Sequence, residues 1–159
     1  MGMDLQTIET PPEDVDEDGG YYRLRTPAMR AMVEAMRIAQ IFFPNDPIPV
    51  EGAAVTVDEK KFLRNHGDLV PPSECLRIHH MLCQLIEGLN EDDCAAVSTT
   101  WTLAEHELLD RLSGQGISLT PLIPQSRFVE LDLEQLRDFL QRFADYNRMA
   151  ADYGGYAIH

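Results

Sequence analysis

PPSECLRIHHMLCQLIEGLN, Pro71 to Asn90, is the stretch around which the chain is organised. Two prolines open it, where a missing N–H costs a helix nothing, and Gly88 closes it. Cys75, Ile78, Leu82, Leu85, Ile86 and Leu89 recur at the three- and four-residue spacing of one helix face. Leu76, Met81 and Cys83 carry that face far around the cylinder. A helix apolar over so much of its circumference sits centrally, with neighbours on several sides. The expected fold class is therefore all-α: five or six helices around this one, with at most one small two-stranded β element.

The totals set wide bounds. A chain of 159 residues makes a single domain with one real core. No apolar run approaches the roughly 18 residues that span a bilayer. The N-terminus has no basic or apolar signal region, and three cysteines make no disulfide framework. Both observations point to a cytoplasmic setting. The net charge of −14 is the unusual total. It argues against direct binding of nucleic acid or an anionic membrane, because phosphate affinity rests on Lys and Arg. It suits a basic protein partner.

Residues 1–21 hold seven carboxylates and no Lys or Arg, and read as a flexible acidic arm unless Leu5 and Ile8 dock it. Residues 22–159 read as one helical domain. Thr26-Pro27 opens a helix with a Met29, Met32, Val33, Met36 face, which Pro44, Pro47 and Pro49 end. Ala53–Val57 suggests an edge strand, and Thr56 with Glu59 a helix to about Asn65. That helix carries the only basic cluster, Lys60, Lys61 and Arg64. Asn90 caps a short acidic segment, Val97–Trp101 breaks it, and Thr102 with Glu105 starts another helix that Gly114 and Gly116 stop. Pro121 and Pro124 precede a short strand at Ser126–Leu131. Asp132 with Gln135 then caps the last long helix, and Tyr156–His159 forms a loose tail.

Candidate chemistry is thin. Cys75, His79 and Cys83 lie at i, i+4 and i+8, but successive turns of one helix rarely offer zinc more than two ligands. A thiol nucleophile would have His79 as its base, yet apolar burial raises a thiol pKa and dulls it. No phosphate-binding glycine loop, dinucleotide fingerprint or H-E-x-x-H is present. The expectation is a protein that is not an enzyme and has no cofactor and no metal. Trp101–Leu109, WTLAEHELL, resembles the opening of a Myb/SANT repeat. The likeness covers those nine residues and lacks the middle aromatic. The segment after Ser126, where a recognition helix would lie, sets Glu130, Asp132, Glu134 and Asp138 against Arg127, Arg137 and Arg142, the wrong sign for DNA. No family is assigned on it.

Between Arg77 and Arg111 there is no Lys or Arg, while Glu87 and six further acids supply seven carboxylates. Those six, Glu91, Asp92, Asp93, Glu105, Glu107 and Asp110, are the candidate partner-binding residues: if two short helices pack side by side, they form one broad negative face. Such a face imitates a polyanion, as small acidic inhibitors of restriction or CRISPR machinery do. The expected function is binding, and inhibition, of a protein with a basic nucleic-acid site. The alternative is a helical scaffold or homodimer, joined through the Met-rich face or the arm. A thiol or zinc-dependent enzyme is the second alternative.

Overall fold

Leu5 and Thr7 are buried, while Asp4 and Gln6, which alternate with them, are partly exposed, a period-two pattern that makes the acidic N-terminus a strand. The computed structural model describes residues 2–44, 50–115 and 129–159. Gly2–Thr7 (β1) is an inner strand of a four-stranded sheet with Tyr21–Arg25 (β2), Leu69–Val70 (β3) and Tyr156–Ile158 (β4). The order is β2-β1-β4-β3, and every pairing is antiparallel. The two ends of the chain thus lie together: Asp4 and His159 exchange both backbone bonds at 2.8 Å. The acids that follow β1 shape a turn. The Asp16 carboxylate accepts from the Gly20 amide at 2.7 Å and the Asp18 amide at 3.3 Å. Gly20 has φ +85°, and a Cβ there would stand 1.8 Å from Thr7 Oγ1, so only glycine fits.

This sheet overturns the all-α reading. The fold is α+β, with four α-helices among the described residues: Thr26–Ile38 (α1), Pro72–Glu87 (α2), Glu91–Gly114 (α3) and Leu133–Asp152 (α4). The strands are two to six residues long and pair across most of the chain, so no local pattern announces them. The segment read as an arm is docked through Leu5, though Ile8 stays exposed. The tail read as loose is β4, held between β1 and β3 with Tyr156 and Ile158 fully buried.

Helix α1 packs on β1 and β2, and α4 on the sheet through Tyr146 and Asn147; α2 then packs on α4 and α3 on α1. Met29, Met32 and Met36 are buried in this packing, so the methionine face is core. Helix α2 is as central as its pattern implies, burying Cys75, Ile78, Met81, Leu82 and Ile86. It also buries Arg77, whose guanidinium donates to the carbonyls of Ile41 (2.8 Å), Gln40 (3.0 Å) and Phe43 (2.8 Å). These carbonyls follow the last turn of α1, where a cation meets the negative end of the helix. On the sheet side, Tyr22, Tyr146 and Tyr156 form an aromatic row that ties β2, α4 and β4 together.

Helix α3 runs unbroken through Val97–Trp101, where a break was expected, and Thr102 lies inside it rather than capping a new helix. The hydroxyls that argue for a break are used across the fold instead: Ser98 Oγ accepts from the Leu131 amide and Thr102 Oγ1 from the Val129 amide. Glu105 accepts from the Trp101 indole N–H rather than completing a box. Ala53–Val57 is not a strand, and the helix expected to Asn65 is a single 3₁₀ turn, Glu59–Phe62, capped by Asp58. Thr56 donates to the Phe42 carbonyl. Val129–Leu131 forms no strand, and the other residues named around Pro47, Pro49, Gly116, Pro121, Pro124 and Ser126 lie outside the described residues. Asp132 and Gln135 do form the reciprocal capping box that opens α4.

Candidate functional site

The six candidate acids all belong to one helix, because α3 is continuous. They are not one face. At about 100° per residue, Asp92, Glu107 and Asp110 fall within about 60° of one another on its outer side. Glu91 and Glu105 lie at least about 100° away, on the side of the helix that carries the buried Cys94, Ser98 and Thr102. Asp93 turns its carboxylate back to accept from the Asn90 amide at 3.2 Å, completing a capping box. Glu107 lies 3.4 Å from Arg111. From Cys94 to Ala104 there is no charge at all, a gap of roughly 18 Å along the axis between Asp93 and Glu105. The exposed Leu103 interrupts the outer side as well. Duplex DNA carries a charge per roughly 1.7 Å of axis, so α3 alone is a poor copy of it.

Packing instead builds an acidic site at the start of the helix. A surface groove of about 730 Å³ runs between the first turns of α3 and the residues leading into α4. Glu91, Glu130, Asp132 and Glu134 are exposed along it, and buried Cys94 and Ser98 line its inner side. None of its described lining residues is basic. The Ser98 hydroxyl, by accepting from the Leu131 amide, holds the two walls together. The Cys94 thiol registers the field: its pKa is raised by burial first, then by Asp93, Asp132 and Glu91. Read along the sequence, Glu130, Asp132 and Glu134 count only against DNA binding. Their distance from Glu91 in the chain hides the convergence; the caps at Asn90 and Asp132, which start both helices here, are the available signal.

Within the cysteine–histidine triplet, Cys83 Sγ lies 3.8 Å from His79 Nε2, but the pKa of each thiol is raised rather than lowered. Cys75 is fully buried, with Sγ 3.6 Å from the Val70 carbonyl, and burial, with Glu74 nearby, pushes its pKa up to about 12. The pKa of Cys83 is also raised, by burial and then by Asp145 and Glu87. The Nδ1 of His79 donates to the Ala144 carbonyl at 2.8 Å, which ties α2 to α4. A nucleophilic thiol needs the opposite shift. Among the described residues no three His, Cys, Asp or Glu side chains are grouped to hold a metal ion.

The fold and this groove define the chain as an α+β protein with an acidic surface site. No family model matches it, and no curated protein or solved structure matches it either. No helix among the described residues is long and apolar enough to cross a membrane.

Proposed function

We propose that this is a non-enzymatic cytoplasmic protein that binds, and thereby inhibits, a protein with a basic nucleic-acid site. The observation that carries the reading is the convergence of Glu91, Glu130, Asp132 and Glu134 on one groove with no basic residue among its described lining residues, in a chain of net charge −14. Electrostatic complementarity of this kind gives fast, salt-sensitive association. Asp92, Glu107 and Asp110 on the outer side of α3 extend the negative surface along the helix. The assembly alternative has less support, since the methionines it relies on are buried and the N-terminal segment is an inner strand.

The test is affinity capture on immobilised protein, eluted in salt steps, beside the variant Glu91→Lys/Glu130→Lys/Glu134→Lys. Asp132 is left in place because it caps α4. A basic nucleic-acid-binding protein that leaves at moderate salt, yields to competing duplex DNA and is lost from the variant supports the reading. Equal capture by both proteins removes the groove. A matching triple reversal at Asp92, Glu107 and Asp110 separates the outer side from the groove.

A further inference from the structure

The positive charge of this acidic chain is unevenly placed. Tyr21–Ile38 holds four arginines, Arg23, Arg25, Arg30 and Arg37, against one carboxylate, Glu34. The segment is β2 followed at once by α1, and β2 is an outer strand. Its backbone groups can be assigned by pairing. Thr7 N donates to Gly20 O, and the same ladder sets Leu5 opposite Tyr22 and Met3 opposite Leu24. Alternation then turns the N–H and C=O of Tyr22 and Leu24 toward β1, and those of Arg23 outward, with the Arg25 amide beside them. Among the described residues neither backbone group of Arg23 has a backbone partner.

The other edge is shorter, and its outward carbonyl is already occupied. Strand β3 has two residues, and the carbonyl of Leu69 accepts from Lys61 Nζ at 2.7 Å. The open edge is also the positive one. Arg23 and Arg25 are exposed on the same side of the sheet, with buried Leu24 between them on the other. Arg23 has one exposed ion pair, with Asp4 at 3.6 Å. Arg25 and Arg30 have none among the described residues. Arg25 is also the N-cap of α1, which has neither a side-chain cap nor an acid in its first turn. The positive end of that helix dipole therefore lies at the same place.

We propose that the β2 edge receives an extended acidic segment of a partner protein as an added strand. Its backbone would pair with the outward groups of Arg23, and its alternate carboxylates would lie beside Arg23 and Arg25, as in other cases of strand addition. A second copy of this chain fits worse. Antiparallel pairing of two β2 strands about Arg23 sets that arginine against itself, between bodies that each carry −14. Charged edge residues also guard strands against any pairing, which is the reading to be defeated. Strand β2 alone carries this proposal, which stands apart from the acidic groove.

The probe is a fluorescein-labelled peptide of alternating Glu and Val, long enough to span β2, followed by anisotropy at low salt. Saturable binding is expected, with the Arg23 amide gaining protection from hydrogen exchange. Arg23→Glu/Arg25→Glu should weaken it about tenfold or more. Arg23→Pro, which removes the outward donor and no bond to β1, should abolish it. The reversal at Glu91, Glu130 and Glu134 should leave it unchanged. No binding, equal binding of a Lys/Val peptide, or an unprotected Arg23 amide would overturn the proposal. So would a β2-dependent dimer in sedimentation that excludes the peptide.

Discussion

Arg77 is the clearest case of one residue linking two helices. Its guanidinium is fully buried and faces three carbonyls at the end of α1, and burial lowers its pKa from the ordinary arginine value. No carboxylate is paired with it among the described residues, so the carbonyls and the helix end stabilise the charge. Removing it leaves those carbonyls without their donor inside the core. Arg77→Ala should therefore cost about 3 kcal/mol in urea unfolding. By contrast Arg142→Ala, at an exposed pair 3.1 Å from Asp138, should change stability by less than about 0.5 kcal/mol. Equal effects would show that the carbonyl contacts contribute nothing net. The arginine was legible only as the last base before a long acidic stretch. Its task depends on where the chain after α1 passes, which no local pattern contains.

At the scale of elements, α3 shows how tertiary partners change the meaning of a sequence. Val97, Ser98, Thr99 and Thr100 are poor helix material, because β-branched and hydroxyl side chains compete with the helical backbone. In the fold, Val97 and Ser98 are buried, and Ser98 and Thr102 accept from the incoming Leu131 and Val129 amides at 2.9 and 2.8 Å. The helix continues because its side chains gain partners elsewhere. Ser98→Ala leaves the Leu131 amide without its acceptor and should cost about 1–2 kcal/mol. Faster hydrogen exchange at that amide, with α3 otherwise unchanged by circular dichroism, checks it. Unchanged exchange would mean that water replaces the hydroxyl freely.

For the whole molecule, the sheet joins the chain's two ends, so its last residues are structural. Deleting Tyr156–His159 removes β4, separates β1 from β3 and should leave a chain with no cooperative thermal transition. A truncated protein that melts near the full-length temperature would contradict the topology. A second global effect concerns alkali. The pKa of Cys75 is pushed up to about 12, and those of Tyr146 and Tyr156 are raised well above the usual tyrosine value, all chiefly by burial. Such groups keep their protons when folded and release them when unfolded. The unfolded chain then binds fewer protons, and stability falls as pH rises. Loss should begin near the ordinary thiol pKa of about 8.5 and reach about 1.4 kcal/mol per pH unit for each such group. Urea midpoints from neutral pH upward, repeated with Cys75→Ala to remove one contribution, measure it. A flat profile would show that the unfolded state protects these groups equally.

What the sequence determined by itself is whatever a few neighbouring residues can specify: the central apolar helix α2, the methionine face of α1, the caps at Asn90 and Asp132, and the net charge. Each depends on spacing along one turn or on composition, and each is present before the chain folds. Only the tertiary structure decided the sheet, the unbroken course of α3, the burial of Arg77 and the meeting of Glu91 with Glu130, Asp132 and Glu134. These depend on contacts between residues far apart in sequence. A three-residue strand at the C-terminus has no meaning until β1 lies beside it, and an acid becomes part of a site only when packing brings the others near.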